Sequence, residues 1–91
     1  MVNDKEHEIM SITQEECAEC IQAVSKIFRF GFDGKHPEKS YNNREHFEEE
    51  VGDLLAMIDL LLENEIVSWA KVNKARRAKF EKLRQWSTIM N

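Results

Sequence analysis

The chain has 91 residues, a net charge of -4 and a pI near 5.4, with 33% charged and 42% hydrophobic residues. So short and acidic a chain fits one domain with a thin core, and it disfavours a general binder of nucleic-acid backbones, which needs a basic face. No run approaches the roughly 20 apolar residues of a membrane span, the opening MVNDKEHEIM lacks the apolar stretch of a secretory leader, and the two cysteines then point to reduced thiols in a cytoplasm.

Residues 1–10 read as a flexible N-terminus. A first helix is predicted from Ser11 to Phe30, with Ser11 or Thr13 as its cap and Thr13-x-x-Glu16 as a capping box. Gly31 tolerates left-handed dihedrals and ends it. The segment GFDGKHPEKSYNN, residues 31–43, holds Gly31, Gly34 and Pro37 and reads as a connecting loop. A second helix is predicted from Asn43, as N-cap, to about Asn64. Phe47, Val51, Leu54, Leu55, Ile58, Leu61 and Leu62 recur there at helical spacing. A third helix spans Ile66 to Gln85, with Trp69, Val72, Phe80 and Leu83 on its apolar side. No segment alternates with period two, so strands are not expected. The expected fold is all-α: one domain over residues 1–91, a helical bundle of two long helices and a third, completed by oligomerisation.

Two acidic pairs stand out. Glu16 and Glu19 lie three apart on the first helix, and Glu50 and Asp53 three apart on the second. Residues three apart on a helix point the same way. If the helices pack antiparallel, the four carboxylates converge. Four converged carboxylates repel one another and need a cation. Oxygen-only ligands select hard ions such as Mg²⁺, Mn²⁺ or Ca²⁺, and Mg²⁺ suits phosphate chemistry. A single ExxE pair is most often a solvated acidic face; two pairs at the margins of two apolar stripes are less ordinary, because such carboxylates cost stability unless used.

Cys17 and Cys20 form a CxxC pair between those acids. Zinc needs two further ligands, and His7, His36 and His46 have no matching spacing. A redox CxxC sits at a helix N-terminus, where the thiolate is stabilised. Both cysteines are therefore read as small core residues.

The segments EECAE, SKIFRFG and NNREHFEEEVGDLLAMIDLL together resemble the MazG-like all-α nucleoside triphosphate pyrophosphatases, over about residues 13–83. The family signature, EExxE on one helix and EExxD on the next, appears as Glu15-Glu16-x-x-Glu19 and Glu49-Glu50-x-x-Asp53. The resemblance implies a hydrolase that cuts nucleoside triphosphates between the α and β phosphates, giving a monophosphate and pyrophosphate. It implies Mg²⁺, with Mn²⁺ as a substitute, held by Glu16, Glu19, Glu50 and Asp53, which would also be the catalytic acids. Glu15 and Glu49 would support them. It also implies a homodimer or homotetramer acting on the nucleotide pool in a cytoplasm, the host's if phage-encoded, with no membrane or nucleic-acid partner. The length matches minimal single-unit members of bacteria and phages.

Substrate contacts are expected from Lys26 and Arg29 in SKIFRFG, from Asn43 in the loop, and from Arg77 and Lys79 in KARRAKFEKL. Many members carry asparagine where this chain has Arg77. Lys26 lies two turns beyond Glu19 on the same face, and the plain alternative is a solvated lysine. A competing reading of the whole is a non-catalytic dimerisation or regulatory module with the same bundle. A ferritin-like di-iron protein needs Glu-x-x-His motifs, and none occurs.

Overall fold

A computed structural model describes residues 1–90, and the described residues form helices and connections with no strand. α1 runs Asp4–Phe30, α2 Asn43–Glu63 and α3 Trp69–Trp86.

α1 begins seven residues before the expected Ser11, so residues 4–10 are helical rather than a loose N-terminus. The cap is Asn3, whose side chain accepts from the Glu6 amide at 2.8 Å, while Glu6 Oε1 accepts from the Asn3 amide at 3.1 Å. This reciprocal pair is a capping box. Thr13 caps nothing; its hydroxyl donates to the Ile9 carbonyl at 2.8 Å inside the helix. Gly31 ends α1 as expected, at φ 82 and ψ 166, a region open almost only to glycine. α2 is capped by Asn42 rather than Asn43, again with a reciprocal partner, Glu45. The three-residue spacing to Glu45 decides between the neighbouring asparagines. Asn43 becomes the first helical residue and donates its side-chain amide to the Gly31 carbonyl at 3.0 Å. Between α2 and α3, Glu65 takes φ 57. The Ile66 and Glu65 amides turn back to the Leu61 and Leu62 carbonyls at 3.0 and 3.1 Å. This is a Schellman closure with glutamate in glycine's usual place. α3 starts three residues later than the expected Ile66, at Trp69, with Ser68 as its cap.

α1 and α2 pack as an antiparallel hairpin. Gly31 pairs with Asn43 at the closed end, the Cys20 thiol donates to the Glu50 carbonyl at 3.5 Å midway, and Glu16 meets Asp53 further along. The seam on α1 is Ile9, Thr13, Glu16, Cys20, Ala23 and Ile27, all buried or half-buried. On α2 it includes Phe47, Glu50, Leu54, Met57 and Leu61. Steps of three and four keep each set on one face. Among the described residues, only Ile9, Ala23 and Met57 are buried. Val51 and Leu55, read as part of one stripe, face outward, with Leu55 55% exposed. α3 barely touches the hairpin, and Trp69 and Trp86 are 61% and 84% exposed.

Candidate metal centre and its neighbouring cleft

Glu16 comes from the middle of α1 and Glu50 and Asp53 from the second and third turns of α2. Antiparallel packing sets them at one depth. One carboxylate oxygen from each lies within 4.8 Å of the others. Glu16 and Glu50 are half-buried within the seam, and Asp53 is exposed beside it. Glu19 falls outside this three-acid group, and it is exposed. It remains close enough for its charge to act on Glu16.

The Glu16 carboxyl is pushed above its ordinary value, first by partial burial, then by the charges of Asp53, Glu50, Glu19 and Glu15. The folded chain thus holds this proton more tightly than the unfolded chain does. The contribution to stability is complete below the unfolded pKa and lost as pH rises through the raised one. Without divalent ions, wild type is expected to lose melting temperature relative to Glu16→Gln as pH climbs from the ordinary carboxylate value of 4.5. A bound cation opposes that loss, and at a hundred times its Kd it adds about 2.7 kcal/mol. Thermal melts with and without MgCl₂, matched in ionic strength with KCl, measure both. A melting temperature indifferent to Mg²⁺ would refute a cation site. The donor set fits a hard divalent ion: three carboxylates, no thiol, no imidazole.

The CxxC pair is divided. Cys20 is half-buried, and its thiol is pushed up by burial first, then by Cys17, Glu50, Glu16 and Asp53, so it stays a neutral donor. Cys17 is exposed rather than packed in a core.

Beside the acids lies a cleft of about 530 Å³ between the end of α1, the 31–42 loop and the start of α2. Lys26, Arg29 and Asn43 all line it. Arg77 and Lys79 do not; both are exposed on α3, and neither borders the cleft or the acid group. His46 connects the two regions. It lines the cleft, its Nε2 lies 3.3 Å from Glu50 Oε1, and its ring stacks on Tyr41 with centroids 5.7 Å apart. Sequence reasoning passed over His46 except as an unmatched zinc ligand. The readable signal was the four-residue step from His46 to Glu50 on one helix.

No curated protein and no solved structure matches the chain significantly. The MazG nucleotide pyrophosphohydrolase domain matches residues 4–85, nearly the whole length. The match extends over all three helices, and it fits a hairpin that brings acids from both signature motifs to one point. The chain belongs to the MazG nucleotide pyrophosphohydrolase family.

Proposed function

We propose that the protein is a Mg²⁺-dependent nucleoside triphosphate pyrophosphohydrolase that releases pyrophosphate and leaves a (deoxy)nucleoside monophosphate. The observation that carries this reading is the convergence of Glu16, Glu50 and Asp53 from two helices. These three acids would hold Mg²⁺, for which Mn²⁺ can substitute. The ion supplies neutralisation of charge on the phosphate oxygens. Glu19, free of the three-acid group, orients a water and takes its proton. The water oxygen bonds to the α-phosphorus in line with the bridging oxygen. The bond to that oxygen breaks, and pyrophosphate leaves with the electron pair. Lys26, Arg29 and Asn43 hold substrate from the cleft. A panel of canonical and damaged nucleotides, run with Mg²⁺ and with Mn²⁺, tests the reading through pyrophosphate release and identifies the preferred base and sugar. No hydrolysis across the panel would leave the non-catalytic module.

The working unit in this reading is a homo-oligomer, a dimer or a tetramer. The chain exposes 7514 Å², against about 5,500 Å² for a compact monomer of its mass. Its radius of gyration is 16.2 Å, against about 12 Å for a compact 91-residue domain. An excess of about 2,000 Å² per chain is on the scale of an obligate interface. Ile21, Phe28, Leu55 and Trp69 supply apolar area to it. Any substrate contact by Arg77 or Lys79 is then made on a neighbouring copy, because α3 stands away from its own hairpin. Light scattering at micromolar concentration is expected to show at least twice the chain mass of 10.7 kDa. A stable monomer would refute the assembly.

A further inference from the structure

Lys35 and Lys39 belong to neither signature motif, yet both border the cleft that adjoins the three acids. With Lys26 and Arg29 they make four cationic side chains around it, and no carboxylate lines it. That is a local excess of positive charge in a chain of net charge -4. The cleft volume, about 530 Å³, lies within the range of small-molecule sites.

The loop is held in shape by its own backbone. The Asn43 amide donates to the Gly34 carbonyl at 2.9 Å, Arg44 to Phe32 at 3.0 Å and Lys39 to His36 at 2.9 Å. Glu45 and His46 donate to the Asn42 side chain and carbonyl. The first amides of α2 are therefore already occupied. They lend the positive end of the helix dipole but no hydrogen bonds. The charge that holds an anion in the cleft then comes from the lysine and arginine side chains. Ammonium and guanidinium groups grip phosphate oxygens with charge-assisted hydrogen bonds. The aromatic surfaces are partly engaged: Tyr41 stacks on His46, and the Arg29 guanidinium lies 5.3 Å from the Phe30 ring centre.

Resting on the pyrophosphohydrolase reading for the identity of the substrate, we propose that this cleft is a subsite for the polyphosphate tail. Lys35 and Lys39, with Lys26 and Arg29, hold the phosphates beyond the bond that is cut. His46 is the shared wall, touching Glu50 on one side and the cleft on the other. In this proposal the tail passes from the acid group beside His46 into the cleft. The two loop lysines then determine phosphate number. A triphosphate fills the subsite, whereas a diphosphate places one phosphate fewer there and is bound and turned over less well.

The test uses the full-length protein and inorganic tripolyphosphate, followed by calorimetry without divalent ions at fixed ionic strength. Wild type is expected to bind. The Lys35→Ala/Lys39→Ala double variant is expected to bind at least about tenfold more weakly, and Lys35→Arg/Lys39→Arg to keep most of the affinity. Circular dichroism checks the fold, and the Mg²⁺-induced rise in melting temperature should be unchanged in the alanine variant because the acids are untouched. In turnover the alanine variant should show a raised KM for triphosphates at near-constant kcat, and a smaller preference for triphosphate over diphosphate. Unchanged tripolyphosphate affinity overturns the proposal. So does a variant that loses affinity for a free nucleoside instead, which would make the cleft a base pocket. If wild type binds tripolyphosphate through Lys35 and Lys39 but hydrolyses no nucleotide, the subsite stands and the enzymatic reading falls.

Discussion

Glu50→Gln and Asp53→Asn are each expected to lower pyrophosphate release by at least about 100-fold, because each removes one of three oxygen donors from the proposed divalent site. The same variants should fold at least as well as wild type without metal. Each carboxamide removes one negative charge from a group whose mutual repulsion already raises Glu16. Stability and activity then move in opposite directions. A variant that loses activity because it unfolds would show the reverse: a lower melting temperature and no separate loss of the Mg²⁺ effect. Glu50→Gln also leaves in place the backbone carbonyl that accepts from the Cys20 thiol, so the helix seam is preserved. Full activity in both variants would end the proposed mechanism. Glu19→Gln separates its role from theirs: as the water-orienting acid it should cost kcat while largely keeping the Mg²⁺ response in the melt.

Gly34→Ala is expected to damage the cleft from its backbone outward. A Cβ at this position collides with the Phe30 carbonyl oxygen and lies 3.0 Å from Asn43 Nδ2. The first of these is backbone, so the loop itself must move. Moving it strains the Asn43 amide to Gly34 carbonyl bond that ties the loop to the start of α2. Overpacking of this kind costs about 1–3 kcal/mol, and each kcal/mol is worth about 4–8 °C in a domain of this size. A fall of at least about 5 °C is therefore expected, with a raised KM for nucleotide. Gly52 is the control. It faces open space in the interior of α2, so Gly52→Ala brings no clash within the chain. A Gly34→Ala variant with wild-type melting and KM would show that the loop yields freely.

The helices and the acids were legible for local reasons. Steps of three and four fix which residues share a helical face, so Glu16, Glu50 and Asp53 could be gathered before any coordinates. Spacing gathered Glu19 with them as well, whereas in the folded chain its carboxylate lies outside the three-acid group. The missed start of α1 was also written locally. Asn3-x-x-Glu6 has the capping spacing, but a polar opening with few apolar residues hid it behind Thr13-x-x-Glu16. The cleft was beyond reach for a different reason. Lys26 and Lys39 are brought together by loop hydrogen bonds that no periodicity encodes. The outward Val51 and Leu55 were unreadable because hydropathy marks an apolar residue without saying which neighbour covers it.

In the proposed oligomer, the position of α3 makes helix content depend on concentration. An isolated helix of 18 residues is marginal in water, and this one has almost no tertiary support from its own chain. In that assembly its order is drawn from neighbouring copies, whereas the α1–α2 hairpin carries its own seam. Dilution should unwind the chain from one end, with α3 amides exchanging with solvent first and those of Ala23 and Met57 last. If the chain assembles as proposed, the number of copies present sets how much of each chain is folded, and residues 69–86 report it.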